Sequence, residues 1–194
     1  MNIEEVHLSP PALARDVWFY RLECRYLRDA WLAHPSNYEP DTLMDNEKGD
    51  LWLRAVGRFS IPESFYLDSR HLDPELPGVR HFNAVDLNIC FNQLAYVLIN
   101  EGVDHGLLPP EPLGLSGVDP REERINGNMM IAKIGTTFVR PIDPREFDWW
   151  LAITRIYHHK GLPFVDMSFE FSDSKGGFAV GTCRGVIFVQ NFAR

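Results

Sequence analysis

Apolar and polar positions alternate most cleanly between residues 165 and 172. There Val165, Met167, Phe169 and Phe171 oppose Asp166, Ser168, Glu170 and Ser172. A period of two predicts a strand with one buried face. Residues 51–60 repeat the pattern, with Leu51, Leu53, Ala55 and Phe59 on one side and Trp52, Arg54, Val56 and Arg58 on the other. Residues 129–140 alternate more loosely, and Phe147, Trp149, Leu151, Ile153 and Tyr157 are assigned to one face of the next strand. A last strand over 178–190 follows the turn-forming run Asp173-Ser174-Lys175-Gly176-Gly177. The stretch 24–33 fits helix or strand by pattern alone, and its neighbours favour strand. Residues 10–21 open with Ser9-Pro10-Pro11 and read as a short helix, Ser9 its cap and proline in its first turn. The proline- and glycine-bearing stretches 35–50, 67–80 and 103–127 read as a hairpin loop, an insertion and a long connection. Links this short imply antiparallel pairing, because parallel strands need a longer crossover.

Residues 84–101 break the period of two. Apolar side chains fall almost all round the helical wheel there, the mark of a helix buried on every side. Asn83 is a favoured N-cap residue, Asp86 sits at the third helical position where an acid complements the helix dipole, and Gly102 is the expected stop. A sheet must cover one face and this helix must be covered on all of them. Wrapping a long antiparallel sheet around it satisfies both demands. The fold class expected is therefore α+β, a hot-dog fold. Residues 1–23 form an N-terminal extension with a short helix, and 24–194 form a single domain.

The chain of 194 residues carries 27 acidic and 19 basic side chains, a formal net charge of −8. That charge argues against a sequence-independent nucleic-acid binder, which needs clustered lysine and arginine. The longest strictly apolar run, 94–99, falls far short of the roughly 20 residues of a membrane helix. The start Met1-Asn2-Ile3-Glu4-Glu5 is acidic and has no secretory core segment, so a cytoplasmic location is expected. Cys24, Cys90 and Cys183 are widely spaced and odd in number, and no glycine-rich phosphate loop is present. Neither a metal nor an organic cofactor is expected.

Two stretches carry a resemblance. His81-Phe82-Asn83-Ala84-Val85-Asp86-Leu87-Asn88-Ile89-Cys90-Phe91-Asn92-Gln93-Leu94-Ala95-Tyr96 closely resembles the central helix of the FcoT-like thioesterase family, and Phe59-Ser60-Ile61-Pro62-Glu63-Ser64-Phe65-Tyr66 resembles the segment bearing that family's active-site tyrosine. Weaker likeness runs from Phe138-Val139-Arg140-Pro141 onward. The resemblance implies a hot-dog enzyme acting on fatty acyl thioesters. In the two-step form of the reaction, glycine adds to the β-carbon of an α,β-unsaturated acyl thioester borne by an acyl carrier protein. Hydrolysis then releases an N-carboxymethyl-3-amino fatty acid for polyketide or isonitrile lipopeptide biosynthesis. It also implies a homodimer or higher homo-oligomer. A simple long-chain acyl-CoA thioesterase and a non-catalytic acyl-binding protein are the competing readings.

Both steps build negative charge on the thioester oxygen. N–H groups of the first helical turn, Ala84 to Asp86, are candidate donors to it, each worth roughly 3 kcal/mol in a transition state. Asn83 is either a cap alone or also a substrate-binding amide. His81 can be neutral at pH 7 and take a proton from the glycine ammonium or from water. Tyr66 offers a hydroxyl for orientation or proton relay. Asn92 lies nine residues beyond Asn83, nearly opposite on a helix, and shares its face with Asn88. A buried amide pair holding backbone is the competing account of those two. Asp86 is a candidate base with a capping role of its own. Phe65, Phe82, Phe91, Trp149, Trp150 and Phe169 are candidate walls of an acyl tunnel. Arg70 and Arg80 are candidates for the glycine carboxylate, and Arg121, Arg124, Arg140 and Arg145 for an acidic carrier protein. Ser64 lacks a nucleophile elbow, adjacent His158 and His159 would face opposite ways on a strand, and Cys90 reads as core.

Overall fold

The computed structural model describes residues 2–40, 44, 53–61, 82–125 and 129–188. Its strands are β1 (Ile3–His7), β2 (Leu27–Pro35), β3 (Leu53–Phe59), β4 (Met129–Arg140), β5 (Phe147–His159), β6 (Leu162–Ser172) and β7 (Phe178–Ile187); its helices are α1 (Pro10–Val17), α2 (Ala84–Asp104) and α3 (Pro120–Ile125). Among the described residues the strands make one sheet in the order β1-β2-β3-β5-β6-β7-β4, antiparallel at every step. The sheet wraps α2, which buries Leu87, Phe91, Leu94, Val97 and Leu98 in the common core. This is the α+β hot-dog fold expected from the pattern.

Particular residues set the fit of helix to sheet. Gly57 on β3 lies where α2 comes closest: a Cβ there would meet Leu94 at 2.9 Å and Leu27 at 2.8 Å. On β6, Val165, Met167, Phe169 and Phe171 are buried as the alternation requires. β5 keeps its phase only as far as Ile153. A register shift between Ile153 and Arg155 moves the buried position to Ile156, and Tyr157 pairs with Phe164 on the outer face. The extra residue of a bulge reverses which side chains face in, so Tyr157 does not share the face of Trp149 and Leu151.

Gly102 does not end α2. The helix runs on to Asp104, and Gly102 is buried because Leu108 folds back onto it. A methyl group on Gly102 would lie 3.1 Å from the Leu108 Cβ. The left-handed residue after the end is Gly106, with φ +68°, while Leu107 and Leu108 donate their N–H groups to the Gly102 carbonyl. β1 and α3 had no strong sequence signal. β1 pairs along β2, and Leu8, Leu13 and Val17 reach the same core as α2.

Candidate active site

Asn83 has extended backbone, φ −134° and ψ −178°, and its Oδ1 accepts from the N–H of Val85 at 2.8 Å and of Asp86 at 3.4 Å. The Leu87 N–H reaches the Asn83 carbonyl at 2.9 Å. Two of the three N–H groups proposed for the thioester oxygen are therefore held by the cap, and Ala84 N–H is the one left without a partner among the described residues. Phe82 anchors this end of the helix. Its N–H donates to the Ile142 carbonyl at 3.4 Å, and its ring lies 4.9 Å from Phe147 and 5.4 Å from Phe171.

Below the cap, Asp86 is fully buried, while Val85 is half exposed and Ala84 and Asn88 lie at the surface. Burial pushes the Cys90 thiol well above its usual range and the Asp86 carboxylate adds to the effect, so Cys90 stays a protonated core residue. Asn88 donates its Nδ2 to the Ala84 carbonyl at 2.9 Å, one turn back on its own helix. Asn88 thus holds backbone as one reading required, but from an exposed position. Tyr66 and His81 lie outside the described residues, as do Ser64, Phe65, Arg70 and Arg80.

One turn further along this face the setting changes. Asn92, Ala95, Tyr96 and Ile99 line a small apolar pocket of about 40 Å³ that opens to the surface, and its opposite wall is Met129, Ile131, Val165, Met167 and Ile187. Asn92 is half buried there, and its carboxamide has no hydrogen-bond partner among the described residues. Its amide is not among the buried unpartnered side-chain groups, so it faces the pocket mouth with solvent in reach. Tyr96 sits beneath the ring of Phe19, 5.7 Å between centroids. The spacing of Ala95, Tyr96 and Ile99 from Asn92, three, four and seven residues, is the sequence signal that would have found this wall. Of the aromatics expected to line a tunnel, Phe82, Trp149 and Phe169 fill the core instead. Trp149 lies 3.9 Å from Phe171 and 5.7 Å from Phe169. Phe91 touches both regions, and Trp150 is on the outer side of β5.

The adjoining face of α2 is closed by polar bonds. Gln93, fully buried, donates to the Cys24 carbonyl at 2.6 Å and accepts from the N–H groups of Tyr26 at 3.1 Å and Leu27 at 3.0 Å. Asn100 donates to Asp16 of α1 at 2.9 Å. Arg121 of α3 donates to Asp16 at 2.8 Å, Glu101 at 2.8 Å and Asp104 at 3.0 Å. Burial lifts Asp16 to about 7 despite the hydrogen bond from Asn100 and the charge of Arg121. Arg121 is 7% exposed, so it cannot belong to a carrier-protein docking patch. Arg145 is engaged as well, bonded to Asp143 at 2.7 Å and 2.9 Å.

The family model of the FcoT-like thioesterase domain matches residues 15–187. A Streptomyces coeruleorubidus protein named (2E)-enoyl-ACP glycyltransferase is 29% identical over 167 residues, which is 81% of this chain and 84% of that one. A Mycobacterium tuberculosis protein of the same name is 32% identical over 185 residues, 91% of this chain and 85% of that one. Among solved structures, the Lactococcus lactis protein yhdA shares 10% identity at a TM-score of 0.39, over 84% of this chain and 94% of that one. A Thermus thermophilus thioesterase solved with coenzyme A and zinc shares 16% at 0.34, over 71% and 80%. With nearly its whole length matched, this chain belongs to the FcoT-like thioesterase family, a family of enzymes.

Proposed function

We propose that the protein adds glycine to the β-carbon of a (2E)-enoyl thioester carried on an acyl carrier protein and then hydrolyses the thioester. The relatives' shared name supports the substrate class. Asn92 is the structural observation that carries the reading: a carboxamide without a partner in the wall of an apolar pocket suits a substrate that is polar at the thioester and apolar behind it.

In the first step the glycine nitrogen, freed of a proton, forms a bond to the β-carbon. The π electrons move onto the thioester oxygen as an enolate, which takes a proton at the α-carbon. In the second step water adds to the thioester carbon, and the thiol leaves with a proton as the carboxylic acid forms. His81 is assigned the proton transfers from glycine and from water, and Tyr66 the orientation of the reacting group, both on the family resemblance. Ala84 N–H, Asn83 Nδ2 and Asn92 Nδ2 are assigned to the oxygen that gains charge. Val85 and Asp86 act by holding the cap, Phe82 by fixing the helix entrance, and Asn88 by bonding the Ala84 carbonyl in the first turn.

Nine residues of helix separate Asn83 from Asn92 by about 13 Å along the axis, too far for both amides to meet one atom from the same chain. An isologous homodimer, or a higher homo-oligomer built from it, resolves this by bringing a second copy to the site. Its support is strand β4, at the edge of the sheet among the described residues, with Met130 54%, Phe138 42% and Val139 55% exposed, and Val85 of α2 at 48%.

The test is incubation with a (2E)-enoyl thioester and nitrogen-15 glycine, followed by mass spectrometry of the released acid. Product carrying one labelled nitrogen is expected. Free enoic acid without label would leave the simple thioesterase, and no thiol release would leave an acyl-binding protein.

A further inference from the structure

We propose that the turn joining α1 to β2 is the docking surface for the acidic carrier protein, an inference that rests on the carrier-bound substrate of the proposed reaction. Trp18 and Leu22 stand out from this turn, 54% and 76% exposed, and Leu22 is the most exposed large apolar side chain among the described residues; Phe19 between them is 37% exposed and packs inward on Tyr96. The turn is built to present them. Arg25 donates its Nε to the Tyr20 carbonyl at 2.9 Å and its Nη2 to the Trp18 carbonyl, which closes the loop backbone around the guanidinium. Exposed apolar side chains on a preorganised turn lower the ordering cost of association, and tryptophan with arginine is the pairing that dominates interface energies.

Charge selects the partner. Residues 18–29 hold Arg21, Arg25 and Arg28 against Glu23 and Asp29, a net charge of +1 on a chain of net charge −8. Arg21 is 85% exposed at its side chain and only 3.9 Å from Glu23 at its nearest, and Arg28 is exposed beside the Ser60 carbonyl. A second copy meeting this patch across a two-fold axis would place like charges together, which is unfavourable. An acidic protein surface with an apolar residue at its centre fits. The position fits as well: Phe19 rests on Tyr96, and Tyr96 lines the acyl pocket. A carrier seated on Trp18 and Leu22 delivers its prosthetic arm at the pocket mouth, which the buried Arg121 cluster does not.

The experiment compares the wild type with an Arg21→Glu/Arg28→Glu double variant and a Trp18→Ser variant of the full chain. Binding is read by fluorescence anisotropy of a labelled acidic acyl carrier protein loaded with a non-hydrolysable enoyl group. Glycine incorporation is read on the same enoyl chain attached to N-acetylcysteamine. Both variants should bind the carrier about tenfold or more weakly, wild-type affinity should fall as salt rises, and turnover of the small thioester should stay within about twofold. Unchanged carrier affinity overturns the proposal, as does an equal loss on both substrates. So does a loss confined to binding of phosphatidylglycerol vesicles, which would make the turn a membrane contact. A changed oligomeric state in Trp18→Ser by sedimentation would make it a self-association face and overturn it too. If the wild type incorporates no glycine into the small thioester, the proposed reaction fails, while the anisotropy still decides the docking surface.

Discussion

Gln93 and Asn92 are neighbours on α2, both carry carboxamides, and their surroundings could hardly differ more. Gln93 makes three hydrogen bonds to the backbone around β2 and is fully buried. Asn92 makes none to the described residues and lines an apolar pocket. The same division runs the length of the helix. One face is tied by Asn100 and Glu101 to α1 and α3, and the other turns Asn92, Tyr96 and Ile99 to the small apolar pocket. A satisfied amide is a structural clamp. One at the rim of a pocket, without a partner among the described residues, is open to a group from outside the chain.

The largest expected effect breaks the closed face. Arg121→Ala removes the guanidinium that Asp16 and Glu101 share and leaves Glu101 with the half-exposed Arg15 alone, and should lower stability by about 3–5 kcal/mol in urea denaturation. Gln93→Leu on the same face strands two N–H groups and a carbonyl, so a loss of about 3 kcal/mol is expected by the same measurement. Asn92→Leu, one residue away, should do the reverse. Its melting temperature should hold or rise, while the rate of glycine incorporation falls about 100-fold. A variant that melts much earlier would assign Asn92 to the structure and not to the site.

The closed face should also respond to pH. Burial raises the Asp16 carboxyl to about 7 from its ordinary value near 3.8. Between those values the folded chain holds a proton that the unfolded chain releases, so stability should fall as pH rises from about 4 to 7 and level off above. Asp143 moves the other way, held low by Arg145 and Lys175, and its stabilising part is lost only at more acid pH. Urea midpoints at pH 5 and pH 8 check the sign, and Asp16→Asn should flatten the difference.

The hydrophobic pattern was enough for what depends on period. The all-apolar helix, the alternation of β6 and the hairpin into β7 could be read directly. Features that depend on distant partners could not. Arg121 looks like any surface arginine until Asp16, 105 residues away, is placed against it. The bulge after Ile153 leaves no mark in composition, yet it moves Tyr157 to the outer face. Gly102 carries a stop signal, but packing against Leu108 uses its missing side chain inside the helix. At the site, Asn83 was legible as a cap, and Asn92 as opposite to it. The pocket was not, because its far wall comes from β4, β6 and β7, more than 30 residues further along the chain.

The central claim is that the open face of α2 receives the acyl chain. Photolysis of a (2E)-enoyl thioester bearing a terminal diazirine, followed by peptide mass spectrometry, tests it directly. Label is predicted on Tyr96, Ile99 and the segment from Met129 to Ile131. Label on the Phe82, Phe147 and Trp149 cluster, or along α1 and α3, would contradict it.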